Sequence, residues 1–210
     1  MKLAVFGATG GTGTQVVDNA LKSGHSVVAV VRRPDAVAMK HPALTVAKGD
    51  VLDQASIVAG IVGVDAVIST FGPASNKRPG TLMSEGIANI VAACEQTSVP
   101  KLVFESGLIT TDGEGLSVLA RIGVGMFRSL NHKLYEDKVL AETTIRASGL
   151  AWVIVRAPTL GDGPARGGYK HGVAIAVNPA KKLAHADVAD FLIACAGNTA
   201  ADRTTQVIGY

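Results

Sequence analysis

Leu3-Ala4-Val5-Phe6-Gly7-Ala8-Thr9-Gly10-Gly11-Thr12-Gly13 carries a short apolar run directly into glycines at positions 7, 10 and 13. Residues 3–6 read as a strand, and the helix-period segment from Gly11 to Ser23 reads as a helix closed by Gly24. In such a strand–turn–helix, the first glycine permits the tight turn and the second lets backbone N–H groups approach a pyrophosphate. The third allows the helix to pack closely on the strand. The helix N-terminus adds oriented donors and partial positive charge for phosphates. The spacing G-x-x-G-x-x-G is one residue wider at the front than G-x-G-x-x-G, yet its context predicts a dinucleotide phosphate loop formed by Gly7, Thr9, Gly10, Gly11, Thr12 and Gly13.

Outward from this loop, β-branched runs alternate with helical patterns. Strands are expected over residues 26–31, 44–47, 66–69, 101–105, 152–155 and 205–208. Helices are expected over 53–60 (capped by Asp53), 81–96, 131–148 and 186–196. Continuous apolar strands separated by helices predict a parallel sheet covered on both faces. The fold class is therefore α/β, a doubly wound parallel sheet of Rossmann type. Residues 1–210 are expected to form one domain, with a small carboxy-terminal region on the substrate side. The remainder after the sixth strand is short for the substrate lobe of a sugar epimerase.

The end of the second strand bears on which dinucleotide is held. An acidic residue there would take the ribose 2′-OH of NAD, whereas a basic one pairs with the 2′-phosphate of NADP. The sequence has Val31-Arg32-Arg33-Pro34, with the first acid at Asp35. Arg32, with Arg33 beside it, is placed to receive a 2′-phosphate, and its planar fork suits one better than lysine would. NADP(H) is favoured over NAD(H), against the alternative of two solvated surface arginines. Gly49-Asp50-Val51 ends the third strand, where side chains meet adenine; Asp50 alternatively caps the next helix.

Composition removes other classes. Nine aromatics and the absence of any Lys/Arg run longer than two leave little for nucleic-acid binding at a net charge of +3. Apolar stretches are strand-sized, the start has no signal-peptide pattern, and Cys94 and Cys195 sit in helical apolar patterns as buried thiols. A cytoplasmic protein without a membrane partner is expected. The five histidines form no metal-ligand set, and most read as solvated. Phe104-Glu105-Ser106-Gly107-Leu108 lacks the G-x-S-x-G elbow of a hydrolase.

Catalytic candidates lie at carboxyl ends of strands, where open α/β sheets bind ligands. Ser106 is the candidate there, together with Lys138 and Tyr135 of the helix that follows. Phe71-Gly72 and Pro158-Thr159-Leu160, with Ser106, are expected to line the cofactor's nicotinamide end; for Ser106 a simple strand-end turn is the alternative. Tyr135-Glu136-Asp137-Lys138 places a tyrosine and a lysine three apart on a helix face, one residue short of Tyr-x-x-x-Lys. Lys138 with Glu142 also reads as a surface i, i+4 pair. Leu116, Leu119, Ala120, Gly123, Met126, Phe127 and Leu130 recur at helical spacing after Gly113 and Gly115. A core helix is the default expectation, and a substrate-covering lid hinged on the glycines is the alternative.

Taken together, Gly7–Gly13, Arg32, Gly49-Asp50-Val51, Met83-Ser84-Glu85-Gly86 and Ala88-Asn89-Ile90-Val91-Ala92-Ala93 resemble the atypical short-chain dehydrogenases. So do residues 155–162 and His185-Ala186-Asp187-Val188-Ala189. Within the NAD(P)H-binding, NmrA-like group the chain is most similar to the biliverdin-IXβ reductase/flavin reductase type, over nearly its whole length. The resemblance implies a monomeric NADPH-dependent reductase of flavins or similar planar conjugated acceptors, with flavin a substrate that is not tightly bound. It places Ser106 at the family's active-site serine. Thr159 stands where the biliverdin reductase type has a histidine, which favours flavin over tetrapyrrole as acceptor; a quinone is a further case. NmrA-like relatives imply the alternative of a non-catalytic redox sensor.

Overall fold

Along β1 (Lys2–Phe6) the side chains alternate between two cores, Leu3 and Val5 facing one and Ala4 and Phe6 the other. That period of two, with both faces apolar, requires helices on each side of the sheet. A computed structural model describes residues 1–73 and 80–210. The chain continues through α1 (Gly11–Lys22), β2 (Ser26–Val31), β3 (Leu44–Lys48), α2 (Gln54–Ile61), β4 (Ala66–Ser69) and α3 (Leu82–Thr97). It then forms β5 (Lys101–Gly107), α4 (Val118–Leu130), α5 (His132–Ala147), β6 (Ala151–Ala157), β7 (Leu160–Gly161) and β8 (Lys170–Gly172). Last come β9 (Leu183–Ala184), α6 (His185–Gly197) and β10 (Thr204–Gly209).

The main sheet has the order β3-β2-β1-β4-β5-β6-β10-β8. All neighbours are parallel except β8, which runs antiparallel to β10. Helices α1 and α6 pack together over one face, while α2, α3 and α5 cover the other. The strand order reverses between β1 and β4, so the crevice beyond their carboxyl ends is where a ligand is received. Cys94 of α3 and Cys195 of α6 are buried free thiols, both pushed up to about 12 by burial.

The structure departs from expectation in two places. Three short strands, β7, β8 and β9, were not anticipated, and β7 with β9 makes a separate two-stranded sheet. Strands of two or three residues arise from tertiary pairing and leave no periodic signal. The helix over 118–130 forms, but it is not a core helix. Leu119 is 80% and Leu130 82% exposed, and Val124 is its one buried residue. Periodicity reports that a helix has an apolar face, not what that face meets.

Candidate functional site

The phosphate loop is built by close approach. Gly7 has φ +78° and accepts the Gly10 N–H at 2.8 Å, and a Cβ at Gly7 would lie 2.6 Å from the Phe71 nitrogen. A Cβ on Gly13 would lie 2.0 Å from the Gly7 carbonyl oxygen, so no side chain is compatible with this turn. No side chain caps α1, whose N-cap is Gly10. The uncapped N–H groups and the glycine cradle fit a pyrophosphate, which would supply the missing acceptors.

From this loop a cleft of about 430 Å³ extends over the ends of β1, β2, β3 and β4. It brings together Gly7, Thr9, Gly10, Arg32, Arg33, Asp50, Val51, Phe71 and Gly72 as anticipated. Arg32 and Arg33 are exposed on its rim. Asp50 does not cap α2. Asp53 does, accepting from the Ala55 and Ser56 N–H groups, while Asp50 accepts from the Leu52 N–H at 3.0 Å. The Val51 carbonyl accepts from the Asn89 amide, which pins this wall to α3.

A second cavity of about 520 Å³ opens at the ends of the next two strands, β5 and β6. Pro158, Thr159 and Lys138 line it, with Leu108, Ile109, Val124, Phe127 and Leu134 supplying apolar walls. The α4 segment therefore covers a pocket with Gly123, Val124 and Phe127, as the lid alternative anticipates. Lys138 is held below the ordinary lysine range by burial, opposed by the charges of Glu105, Glu142 and Asp137. Tyr135 does not line this cavity. Its ring stacks on His132 at 6.3 Å, beneath the Arg128 guanidinium at 4.5 Å. Leu160 lies in β7, paired with Leu183 of β9.

Ser106 ends up inside a buried polar network. Its hydroxyl donates to Glu142 Oε1 at 2.6 Å, and Thr110 donates to the same oxygen at 2.6 Å. Arg156 donates to both Glu142 oxygens, and Arg146 donates to Oε2 at 2.7 Å. Burial alone would raise the Glu142 pKa, but the Arg156 contacts, with the two hydroxyls, reverse this and hold it below the carboxylate range. The expected surface pair between Lys138 and Glu142 is thus corrected: Glu142 is 1% exposed and its partners are arginines. An i, i+4 spacing cannot tell an outward carboxylate from one turned under its helix.

A residue not anticipated for the site is Glu105, buried on the α1 and α6 side of the sheet. Thr12 Oγ1 lies 2.9 Å from Glu105 Oε1 and 2.9 Å from His185 Nδ1, so Thr12 and Gly11 rest on a three-residue polar network. The Glu105 carboxyl is pushed up to about 7 by burial, against the Thr12 hydrogen bond and the Lys138 charge. The signal available was a lone charge inside the apolar strand Leu102-Val103-Phe104. His185, the first residue of α6, is partly buried and bonded.

Because its folded pKa is raised, Glu105 contributes stability that is present below the unfolded value of 4.5. That contribution is lost as pH rises through about 7. Glu105→Gln should therefore match the wild type in Tm near pH 5 and exceed it near pH 8, by up to about 3 kcal/mol in stability. Thermal denaturation at both pH values checks this; an equal offset at the two would show that the carboxyl does not titrate in this window.

An open parallel sheet with a glycine cradle at its switch point defines a dinucleotide-binding protein of Rossmann type. Residues 7–199 match the model of the NAD(P)H-binding family, and the chain belongs to that family. An uncharacterised chloroplastic protein of Arabidopsis thaliana is 30% identical over 79% of this chain, and the match spans 61% of that relative. Two solved structures share the fold at low identity. One is described as an anaerobillin reductase from Escherichia coli O157:H7, with TM-score 0.80, 22% identity, and 100% of this chain and 97% of that one covered. The other is a short-chain dehydrogenase/reductase from Veillonella parvula in complex with NADP, with TM-score 0.78, 17% identity and coverage of 100% and 94%.

Proposed function

We propose that the protein is an NADPH-dependent reductase of a small planar conjugated acceptor, with a flavin the leading case. The observation that carries this reading is the placement of the two cavities. The dinucleotide cleft ends at β4, and the mostly apolar cavity opens on the adjoining strands β5 and β6. The bound dinucleotide supplies the hydride. The protein's own residues then have to hold a flat ring beside it and exclude water. Leu108, Val124, Phe127 and Pro158 offer apolar surface for such a ring, and Lys138 and Thr159 are the polar groups that would orient it.

A flavin suits a site with no tyrosine in the pocket, because its reduced ring takes a proton from water without a dedicated donor. The NADP-bound and anaerobillin reductase structures support the reading through the shared fold. The outward placement of Tyr135 also favours one alternative, a redox sensor that binds without turnover. Steady oxidation of NADPH in the presence of FMN, riboflavin or a quinone is expected, followed by loss of nicotinamide absorbance. No turnover across such a panel, with tighter binding of one redox form than the other, establishes the sensor instead.

A further inference from the structure

We infer that Glu105 is a proton-accepting positioning residue for the phosphate loop, so that NADPH binding draws a proton from solvent into the network Glu105–Thr12–His185. This inference rests on the binding of the dinucleotide, not on the identity of the acceptor.

Thr12 sits in the first turn of α1, where the phosphates are received, and its own side chain points away from them into the sheet. There it is 4% exposed and meets Glu105, which is 9% exposed. One hydroxyl bridges a carboxylate and an imidazole, each at 2.9 Å, and a hydroxyl has a single proton to donate. Two arrangements satisfy all three groups. With Glu105 ionised, Thr12 donates to it and accepts from His185 Nδ1–H. With Glu105 protonated, the carboxyl donates to Thr12, which turns to donate to His185 Nδ1; the ring proton formerly on Nδ1 is then carried on Nε2, so the net gain is one proton, on Glu105. The network thus accommodates a proton without moving a heavy atom.

The groups facing Glu105 set its balance. From α5, Lys138 is the cation that lowers it. From α6, the facing group is the His185 imidazole, reached through Thr12. From α1, Thr12 carries no charge. Glu142, on α5, is occupied by Arg156 of β6 and by Arg146. A pyrophosphate at the loop adds negative charge above a buried carboxylate with one nearby cation, and like charge favours its neutral form. Burial already places this group close to neutrality in its titration, so the added charge acts where protonation changes steeply.

The test is isothermal calorimetry of NADPH binding at pH 7.5 in buffers of different ionisation enthalpy. The wild type is expected to take up about half a proton or more per site, and to bind roughly tenfold more weakly at pH 8 than at pH 6. Glu105→Gln, which fixes the neutral shape, should lose that uptake and show a flatter pH profile. Difference infrared spectroscopy of the wild type on NADPH addition should show a new protonated-carboxyl band, and this readout needs no variant to fold. Absence of that band, or the same proton uptake in Glu105→Gln as in the wild type, overturns the assignment. Failure of all acceptors to turn over would leave these binding readouts unchanged.

Discussion

Glu142→Ala is expected to cost about 3–5 kcal/mol of folding stability, because it leaves the Arg156 guanidinium buried without its carboxylate. The asymmetry between the two arginines decides the size. Arg156 is 14% exposed in its side chain and is held by bonds to both Glu142 oxygens. Arg146 is 38% exposed and can swing outward. Two hydroxyls, Ser106 and Thr110, also lose their shared acceptor at Oε1. For a chain of this length the loss corresponds to a fall in Tm of roughly 6–20 °C. Since Glu142 is held below the ordinary range, its contribution is present above the unfolded pKa and disappears as pH falls through the lower folded one. The gap between wild type and variant should therefore narrow on acidification.

A companion variant separates net value from the penalty of orphaning a charge. Combining Glu142→Leu with Arg156→Met removes both buried charges and should recover most of the loss. Recovery would mean that the network contributes little net stability and chiefly fixes Ser106 and the β5 turn. No recovery would mean that the remaining bonds to Ser106, Thr110 and Arg146 carry the energy.

This network also marks where reading the sequence stops. Gly7–Gly13 was legible because its meaning is local: a turn, a close approach and a helix start fall within seven residues. Arg32, Arg33, Asp50 and Phe71 followed from it, since strand ends in a parallel sheet converge on one crevice, and the cleft does gather them. Glu142 and Arg156 are separated by 14 residues across a helix and a strand, and nothing in either neighbourhood announces the other. The same holds for Thr12 and Glu105, which are 93 residues apart. Tyr135 illustrates the converse error of local inference. Its spacing to Lys138 puts both on one side of α5, yet Arg128 at the end of α4 draws the ring under its guanidinium. The exposed face of α4 belongs with these cases, because an amphipathic pattern leaves open whether core, ligand or solvent meets it.

Arg32→Ala should weaken NADPH binding by about thirtyfold while leaving NADH within about twofold, the effect of losing one charge-assisted contact worth about 2 kcal/mol. Arg32 and Arg33 both line the cleft at the end of β2, and among the described residues neither has an ion-pair partner to hold it elsewhere. Proline at 34 fixes the chain immediately after them and opens a short 3₁₀ turn, so the two side chains leave a constrained backbone. Two adjacent arginines give partial redundancy. Arg33→Ala alone should therefore cost less than Arg32→Ala, and the double variant more than either. Both groups are solvent-exposed, so the preference for NADPH should also shrink as salt rises, whereas pyrophosphate held by backbone N–H groups at the loop should respond less. Equal loss of NADPH and NADH affinity in Arg32→Ala would falsify the 2′-phosphate role, and direct titration of both nucleotides at two ionic strengths decides it.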